Sequence, residues 1–200
     1  FEYTRQSQCA IYVKDNKMTQ IKRVRITNKK LSETSFTKTE QIKEINNSLL
    51  QNSTFESSNL RRIKISNSTL SKVNLKKCNL VNANFEHSCF EKSDLEMANL
   101  ANNHCNKSSL RNTNLQCSSF KNATIKDSHF INADLRWANL DGATLENCDL
   151  GKVNLCNANL TNTKFTNCNL KGATVNLNTR LPFSSEIDKR LGMKEVSILE

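Results

Sequence analysis

The sequence contains few of the residues that punctuate an ordinary globular chain, with one proline and four glycines among 200 residues. A single proline excludes a proline-rich linker, and four glycines are few for an all-β domain with many tight turns. Hydrophobic residues make up 36% and aromatic residues 6%. No run of eighteen apolar residues occurs, so no membrane span is predicted. This composition alone favours disorder, and only a regular pattern of burial would argue against it.

A five-residue repeat supplies that pattern. From Leu50 to Val175, 25 of the 26 positions divisible by five are aliphatic or Phe, and the exception is Cys105. The position two before each centre is mostly small, as at Ala133 and Ala138. Five residues rotate an α-helix by about 500°, which would spread the apolar positions over its whole surface. An odd period also alternates the faces of a flat strand. The pattern therefore predicts a chain that turns a corner every five residues.

Several pentads, among them "ADLRW", "ANLDG" and "ANLTN", resemble the A(D/N)LXX motif of the pentapeptide-repeat family. The resemblance covers about residues 50–175. It implies an all-β fold, a right-handed quadrilateral β-helix of about six coils with four pentads per coil and short capping elements at both ends. Residues twenty apart should then stack. One predicted inner column consists of Ile65, Phe85, Cys105, Ile125, Leu145 and Phe165.

Three segments are predicted from the extent of the repeat. Residues 50–179 form the β-helix, residues 1–49 form a basic N-terminal segment and cap, and residues 180–200 form a C-terminal cap. Covering the unpaired backbone groups at each end of a β-helix is the expected role of the two caps. The first residue is Phe1 rather than Met, so we expect a fragment or a processed form.

The caps have their own local signals. The N-terminal segment predicts a hairpin around the turn Asp15-Asn16-Lys17. It also predicts a short helix near residues 38–46, because Thr37 and Glu40 form a capping-box pattern. The C-terminal segment predicts a helix to about Arg190 and a last strand. Some family members dimerise through a similar tail, so the resemblance leaves a homodimer open.

The weakest pentad surrounds Cys105, where Asn103 replaces the usual small residue. Two interpretations stay open. In the first, the pentad is a tolerated imperfection and Cys105 is a small hydrophobic residue in the core. In the second, a local bulge breaks the face and marks a binding position.

The sequence offers no arrangement typical of an enzyme or a metal site. The eight cysteines contain no CxxC pair, and we expect them to be free thiols that fill small spaces in a reducing compartment. The histidines His87, His104 and His129 have no other ligand at metal spacing. No Gly-rich phosphate loop and no paired nucleophile and base are present. We therefore expect a cytoplasmic, non-enzymatic protein without metal or cofactor, with a secreted effector left open.

One outward column differs from the polar remainder. Its members are Ser57, Lys77, Met97, Cys117, Trp137, Asn157 and Leu177. Met97, Cys117 and Trp137 are predicted to stack side by side and face outward, and we call them the apolar stripe. Outward apolar stripes commonly mark protein contacts, and Trp is enriched at their energetic centres. The alternative is that a terminal segment of the chain covers the stripe.

Three functions follow from these observations. The first is a scaffold that binds an unknown partner protein through a side face of the rod, within a larger protein or a bacterial effector. The second is a DNA mimic that acts on a type II topoisomerase, as the resemblance to quinolone-resistance members implies. Mimicry needs an acidic surface, which the net charge of +10 disfavours. The third is nucleic-acid binding by the basic stretch "IKRVRITNKK", which is disfavoured because no aromatic residues alternate with the basic ones.

Overall fold

The computed structural model describes residues 24–40, 42–182 and 197–199. These residues contain no helix, and therefore none long and apolar enough to cross a membrane. Their strands are β1 (Val24–Thr27), β2 (Lys30–Ser32), β3 (Ile42–Asn46), β4 (Leu49–Gln51), β5 (Lys64–Ser66), β6 (Thr69–Ser71), β7 (Asn84–Glu86), β8 (His104–Asn106), β9 (Thr124–Lys126), β10 (Thr144–Glu146), β11 (Lys164–Thr166), β12 (Thr174–Asn176) and β13 (Ser197–Leu199). Three parallel sheets result, ordered β1-β3-β5-β7-β8-β9-β10-β11, β2-β4-β6 and β12-β13.

Each turn of the central chain takes twenty residues, as the repeat predicts. Ile65 lies in register with Phe85 on the next turn. Single bridges continue the stacking on the remaining faces, for example between Asn79 and Asn99. The result is a β-solenoid of about seven turns, which confirms the predicted β-helix. At about 4.8 Å per turn the stack is roughly 34 Å long.

Large apolar side chains at the repeat centres fill the interior. Leu50, Phe55 and Leu60 are completely buried, and small residues at the position two before a centre, such as Ala133 and Ala138, are buried as well. Burying a Leu or Phe side chain contributes roughly 1.5–3 kcal/mol. Because this burial recurs every five residues, a chain of low overall hydrophobic content still acquires a continuous core.

The corners explain why the sequence needs so few glycines. The second residue after nearly every centre lies at the tip of a corner with positive φ, as in Asn82, Asn102 and Asn122 at 58°, 55° and 57°. Asn tolerates the left-handed region better than most residues. The backbone N–H at the tip also forms a hydrogen bond, since that of Asn82 donates to the Ala101 carbonyl on the next turn at 3.0 Å. Asparagine therefore takes the position that glycine fills in other turns.

A ladder of buried serines stacks along one corner. Ser48, Ser68, Ser88, Ser108 and Ser128 occupy the small position on successive turns. From Ser68 onward, each hydroxyl accepts the backbone N–H of the serine one turn earlier, at 3.1 to 3.4 Å, and the Ser48 hydroxyl accepts the Lys29 N–H at 3.2 Å. Each also donates to a carbonyl of its own turn. The hydroxyls thus join consecutive turns, a role that their small size alone does not indicate.

The N-terminal part of the chain differs from the sequence prediction. The structure has strand β3 where a helix was predicted over residues 38–46, because Ile42 and Ile45 are buried and Ile45 pairs with Ile65. Formation of this ladder overrides the local capping box. The coil also begins before residue 50, since Ile26 pairs with Ile45 nineteen residues later.

The five-residue repeat was not recognised in the early turns because their apolar centres are displaced by one residue relative to the later centres. Ile26, Leu31 and Phe36 are five apart and face inward, but none of their numbers is divisible by five. A register irregularity lies between Val24 and Arg25. The extra coil accounts for about seven turns where about six were predicted.

At the C-terminal end one turn takes 21 residues, because Asn159 bridges to Arg180. Strand β12 then pairs in parallel with β13, so a last strand is present. The predicted C-terminal helix and the predicted N-terminal hairpin lie outside the described residues.

Candidate interaction surface

The apolar stripe occupies the tips of one corner on three consecutive turns. The backbone N–H groups of Met97, Cys117 and Trp137 donate to carbonyls of the following turn at 2.9, 2.9 and 3.1 Å. All three residues have positive φ, between 55° and 59°. The tip geometry directs their side chains away from the filled interior. Met97 and Trp137 are each 52% exposed, and Cys117 is exposed.

Large apolar side chains are unusual at these tips, where most of the bulky side chains are charged. The left-handed conformation costs roughly 1–2 kcal/mol for a residue other than Gly, and Asn tolerates it best. Many other tips of the solenoid carry Asn, as at Asn122 and Asn132. Met97 and Trp137 share the backbone conformation of the other tips and differ from them by their exposed apolar surface. This exposed surface does not help the fold, which supports a role for these side chains outside the core.

Charged and polar side chains border the stripe. Arg136 donates to Asp134 at 2.7 and 2.9 Å, and Gln116 Nε2 donates to the same carboxylate at 2.9 Å. The guanidinium carbon of Arg136 lies 5.6 Å from the centre of the Trp137 ring, within range of a cation–π contact. Hydrogen bonding to Asp134 raises the pKa of Arg136 further above its already high ordinary value. The stripe is therefore apolar at its tips and polar along its margin.

A column of charged and polar side chains beside the stripe forms ion pairs. Lys76 contacts Glu96 at 2.8 Å and Asp94 at 3.3 Å. Its hydrogen bond to Glu96 raises the pKa of Lys76 and lowers the pKa of Glu96. Pairs this exposed contribute little to stability. They keep the flank polar and do not hold the rod together.

Beyond Trp137 the stripe is interrupted. Asn157 takes the next tip and exchanges hydrogen bonds with Asn176, whose Oδ1 accepts the Asn157 N–H at 2.8 Å. Apolar surface then reappears near the C-terminal end, where Leu177 is 81% exposed and Leu181 is 39% exposed. The three-residue stripe is therefore a separate patch.

The weak pentad around Cys105 contains no bulge. Strand β8 is in register with both neighbours, and Cys105 lies buried between Phe85 and Ile125. Burial raises the pKa of the Cys105 thiol to about 11, so it stays neutral. Asn103 is fully buried and donates to the Ala83 carbonyl at 3.0 Å. The predicted bulge is therefore wrong, and the buried, in-register pentad agrees with the interpretation of a tolerated imperfection.

Within the described part of the chain, no three His, Cys, Asp or Glu side chains lie close enough together to hold a metal ion. All seven cysteines described there are free. Cys78 is buried, which raises the pKa of its thiol to about 11, whereas Cys117 in the stripe is exposed. Cys117 is thus the thiol most accessible to reagents among those described.

Sequence reasoning missed a second surface, at the N-terminal end of the rod. A groove of about 640 Å³ is lined by Arg25, Lys43, Glu44, Arg61, Arg62 and Lys64, and we call it the basic groove. Stacking residues twenty apart would have placed Lys64 beside Glu44. Arg25 could be added only after the one-residue displacement of the first turns was known.

Stacked parallel turns with a filled interior define a β-solenoid repeat protein. Two family models agree with this description. "Pentapeptide repeat region" matches residues 83–160, and "Pentapeptide repeats (8 copies)" matches residues 58–96. The chain belongs to the pentapeptide-repeat family.

Solved structures with the same fold are distant in sequence. Full-length QnrB1, a plasmid-mediated fluoroquinolone resistance protein, is 16% identical over 88% of this chain and 91% of that chain, with a TM-score of 0.50. HetL from the cyanobacterium Nostoc sp. strain PCC 7120, involved in heterocyst differentiation regulation, is 20% identical over 82% and 90% of the two chains, with a TM-score of 0.43. Identities this low show similarity of fold alone. No curated protein sequence matches the chain significantly.

Proposed function

We propose that this protein is a non-enzymatic scaffold that binds a partner protein through the apolar stripe. The observation that carries the proposal is the half-exposed pair Met97 and Trp137, aligned with Cys117 on consecutive turns of a rigid rod. An apolar centre with a polar margin is the usual composition of a protein interface. Trp137 is the expected energetic centre, since Trp is enriched among residues whose truncation weakens binding most.

The shape of the rod supports a binding role over catalysis. Enzyme sites are usually concave and need converging polar groups. Here the interior is filled by side chains such as Phe90 and Leu95, both completely buried. Function must then be carried by outer columns of side chains. A rod of stacked turns presents such columns at fixed spacing, which suits it to hold a partner in one orientation.

DNA mimicry remains the second proposal, and charge argues against it. Duplex DNA carries about one negative charge per 1.7 Å of axis. The turns between residues 81 and 160 carry nine Asp or Glu against seven Lys or Arg, a small excess compared with a duplex of similar length. A topoisomerase supercoiling assay tests this alternative, because only a mimic should protect or inhibit the enzyme.

Affinity capture from the native host lysate tests the scaffold, with Trp137→Asn as the variant. Asn suits the positive φ of 58° at this tip, so the variant should fold at least as stably as the wild type. Loss of the aromatic ring should weaken partner binding by about 2 kcal/mol or more. The matched control is Lys92→Asn, which alters a tip of another face with the same φ of 58°.

The scaffold predicts a partner that the wild type and Lys92→Asn retain and that Trp137→Asn loses. Equal capture by all three proteins would show that the stripe is not the interface. Purified partner, once identified, should reproduce the difference in a titration.

A further inference from the structure

The basic groove gathers charge from three neighbouring strands. Arg25 lies in β1, Lys43 in β3 and Lys64 in β5, at the N-terminal edge of the eight-stranded sheet. Arg61 and Arg62 come from the corner that leads into β5. Stacking of successive turns thus brings together residues that are far apart in the sequence.

Most of these charges have no counter-charge among the residues that the structure describes. Of the described lining residues, Glu44 alone is a carboxylate, and it contacts Arg25 at 3.1 Å. Among the described residues, no carboxylate lies within 4 Å of the charged groups of Lys43, Arg61 or Arg62, and none lies that close to Lys64. Gathering like charges raises the electrostatic energy of the free protein, and a bound anion would lower it.

The lining indicates the chemistry of that anion. Guanidinium groups present paired N–H donors that match the oxygens of a phosphate. None of the lining residues in the described part of the chain is aromatic, so these residues offer no platform on which a nucleobase could stack. Its volume of about 640 Å³ falls within the range of small-ligand sites, roughly 300–1,000 Å³. We propose that the basic groove is a binding site for a compact polyphosphate group.

Charge along the rod favours a compact anion over a nucleic-acid duplex. Described residues between 24 and 80 carry eleven Lys or Arg against four Asp or Glu. Between residues 81 and 160 the balance reverses, with seven Lys or Arg against nine Asp or Glu. A duplex laid along the rod would leave the basic turns and meet a net negative surface. A short polyanion can bind entirely within the basic end.

Calorimetric titration with inorganic tripolyphosphate tests the proposal on the full 200-residue chain. The test variant is Arg61→Gln/Arg62→Gln, and Lys64→Gln serves as a second variant within the groove. The matched control is Lys72→Gln/Lys92→Gln, which also removes two positive charges from exposed tips on another face. The altered positions are exposed, so all variants should keep the wild-type circular dichroism.

Wild-type protein should bind tripolyphosphate with an affinity that falls as salt rises. The groove double variant should bind at least about tenfold more weakly, because charge-assisted hydrogen bonds are lost. The control should change by less than about threefold, since only long-range attraction is reduced. Equal weakening in both double variants, or no binding by the wild type at low salt, would overturn the site. Tighter binding of a short DNA duplex, reduced equally in both double variants, would overturn it in favour of a diffuse nucleic-acid surface.

Discussion

Three positions of a pentad each have one physical role. The centre fills the interior, as Leu140 does at 2% exposure, and the small residue two before it, Ala138, leaves room at the corner. The tip two after the centre adopts positive φ, as Gly142 does at 71°. A substitution can therefore be judged from its place in the pentad before its chemical type is considered.

Leu140→Asp places a carboxylate in an apolar interior. Burying an unpaired charge costs several kcal/mol, comparable with the whole stability of a small domain. We predict that the variant does not fold, as judged by circular dichroism and thermal melting. Asn102→Asp, at an exposed tip with φ of 55°, should melt like the wild type. An unchanged melting curve for Leu140→Asp would reject the five-residue register.

The buried thiol of Cys105 should make stability depend on alkaline pH. Burial raises its folded pKa from 9.0 to about 11, whereas the unfolded thiol keeps an ordinary pKa. Unfolded chains then lose their proton first, so stability is full below about pH 9 and falls as pH rises towards 11.

We predict that Cys105→Ala removes this part of the pH dependence. Its destabilisation relative to the wild type, measured by denaturant unfolding, should shrink by about 1.4 kcal/mol between pH 8 and pH 10. The control is Cys117→Ala, which removes an exposed thiol and should show no such change. If the difference in the free energy of unfolding between the wild type and Cys105→Ala stays constant over this pH range, the buried, neutral thiol is contradicted.

At the scale of elements, very short strands persist because the neighbouring turns pair with them. Strand β8 has three residues, yet it lies in register between β7 and β9. An isolated strand of this length would not form. The serine ladder adds hydroxyl bonds between the same turns.

Ser108→Ala tests that ladder. Its hydroxyl accepts the Ser88 N–H at 3.2 Å and donates to the Asn106 carbonyl at 3.1 Å. Removing it leaves a buried N–H without its acceptor, at a cost of roughly 1–3 kcal/mol. Ser118 provides the control, because its buried hydroxyl donates within its own turn to Leu115. Denaturant unfolding should show Ser108→Ala less stable than Ser118→Ala by about 1 kcal/mol or more, and equal stability would argue against the ladder.

The sequence predicted those elements whose repeat keeps a constant frame. The inner column that contains Ile65 and Phe85 could be predicted from the sequence, because a burial period of five is compatible with few folds. The first turns could not, since the frame moves by one residue before β3 and a local helix signal competes there. The basic groove was missed for the same reason. Exposure of Trp137 follows from the pentad, whereas the identity of the proposed partner depends on the surface of another molecule.

At the scale of the whole molecule, the solenoid separates two surfaces on one rigid body. The basic groove lies at the N-terminal end, and the apolar stripe runs across turns nearer the C-terminal end. Side chains fill the interior, so the rod has no internal channel for a ligand. The same packing holds the two surfaces at a fixed distance. Because the fold leaves function to its surface, each surface has to be tested by itself.

The central claim is that the stripe is available to a partner, and Trp137 reports on it directly because it is the only Trp in the chain. The measurement is the tryptophan emission of the native wild-type protein, with iodide as a quencher. An exposed stripe predicts an emission maximum close to that of indole in water and ready quenching by iodide. Both results are expected because Trp137 is 52% exposed. A blue-shifted emission that iodide does not quench would contradict the account, because it would show Trp137 covered by the chain itself.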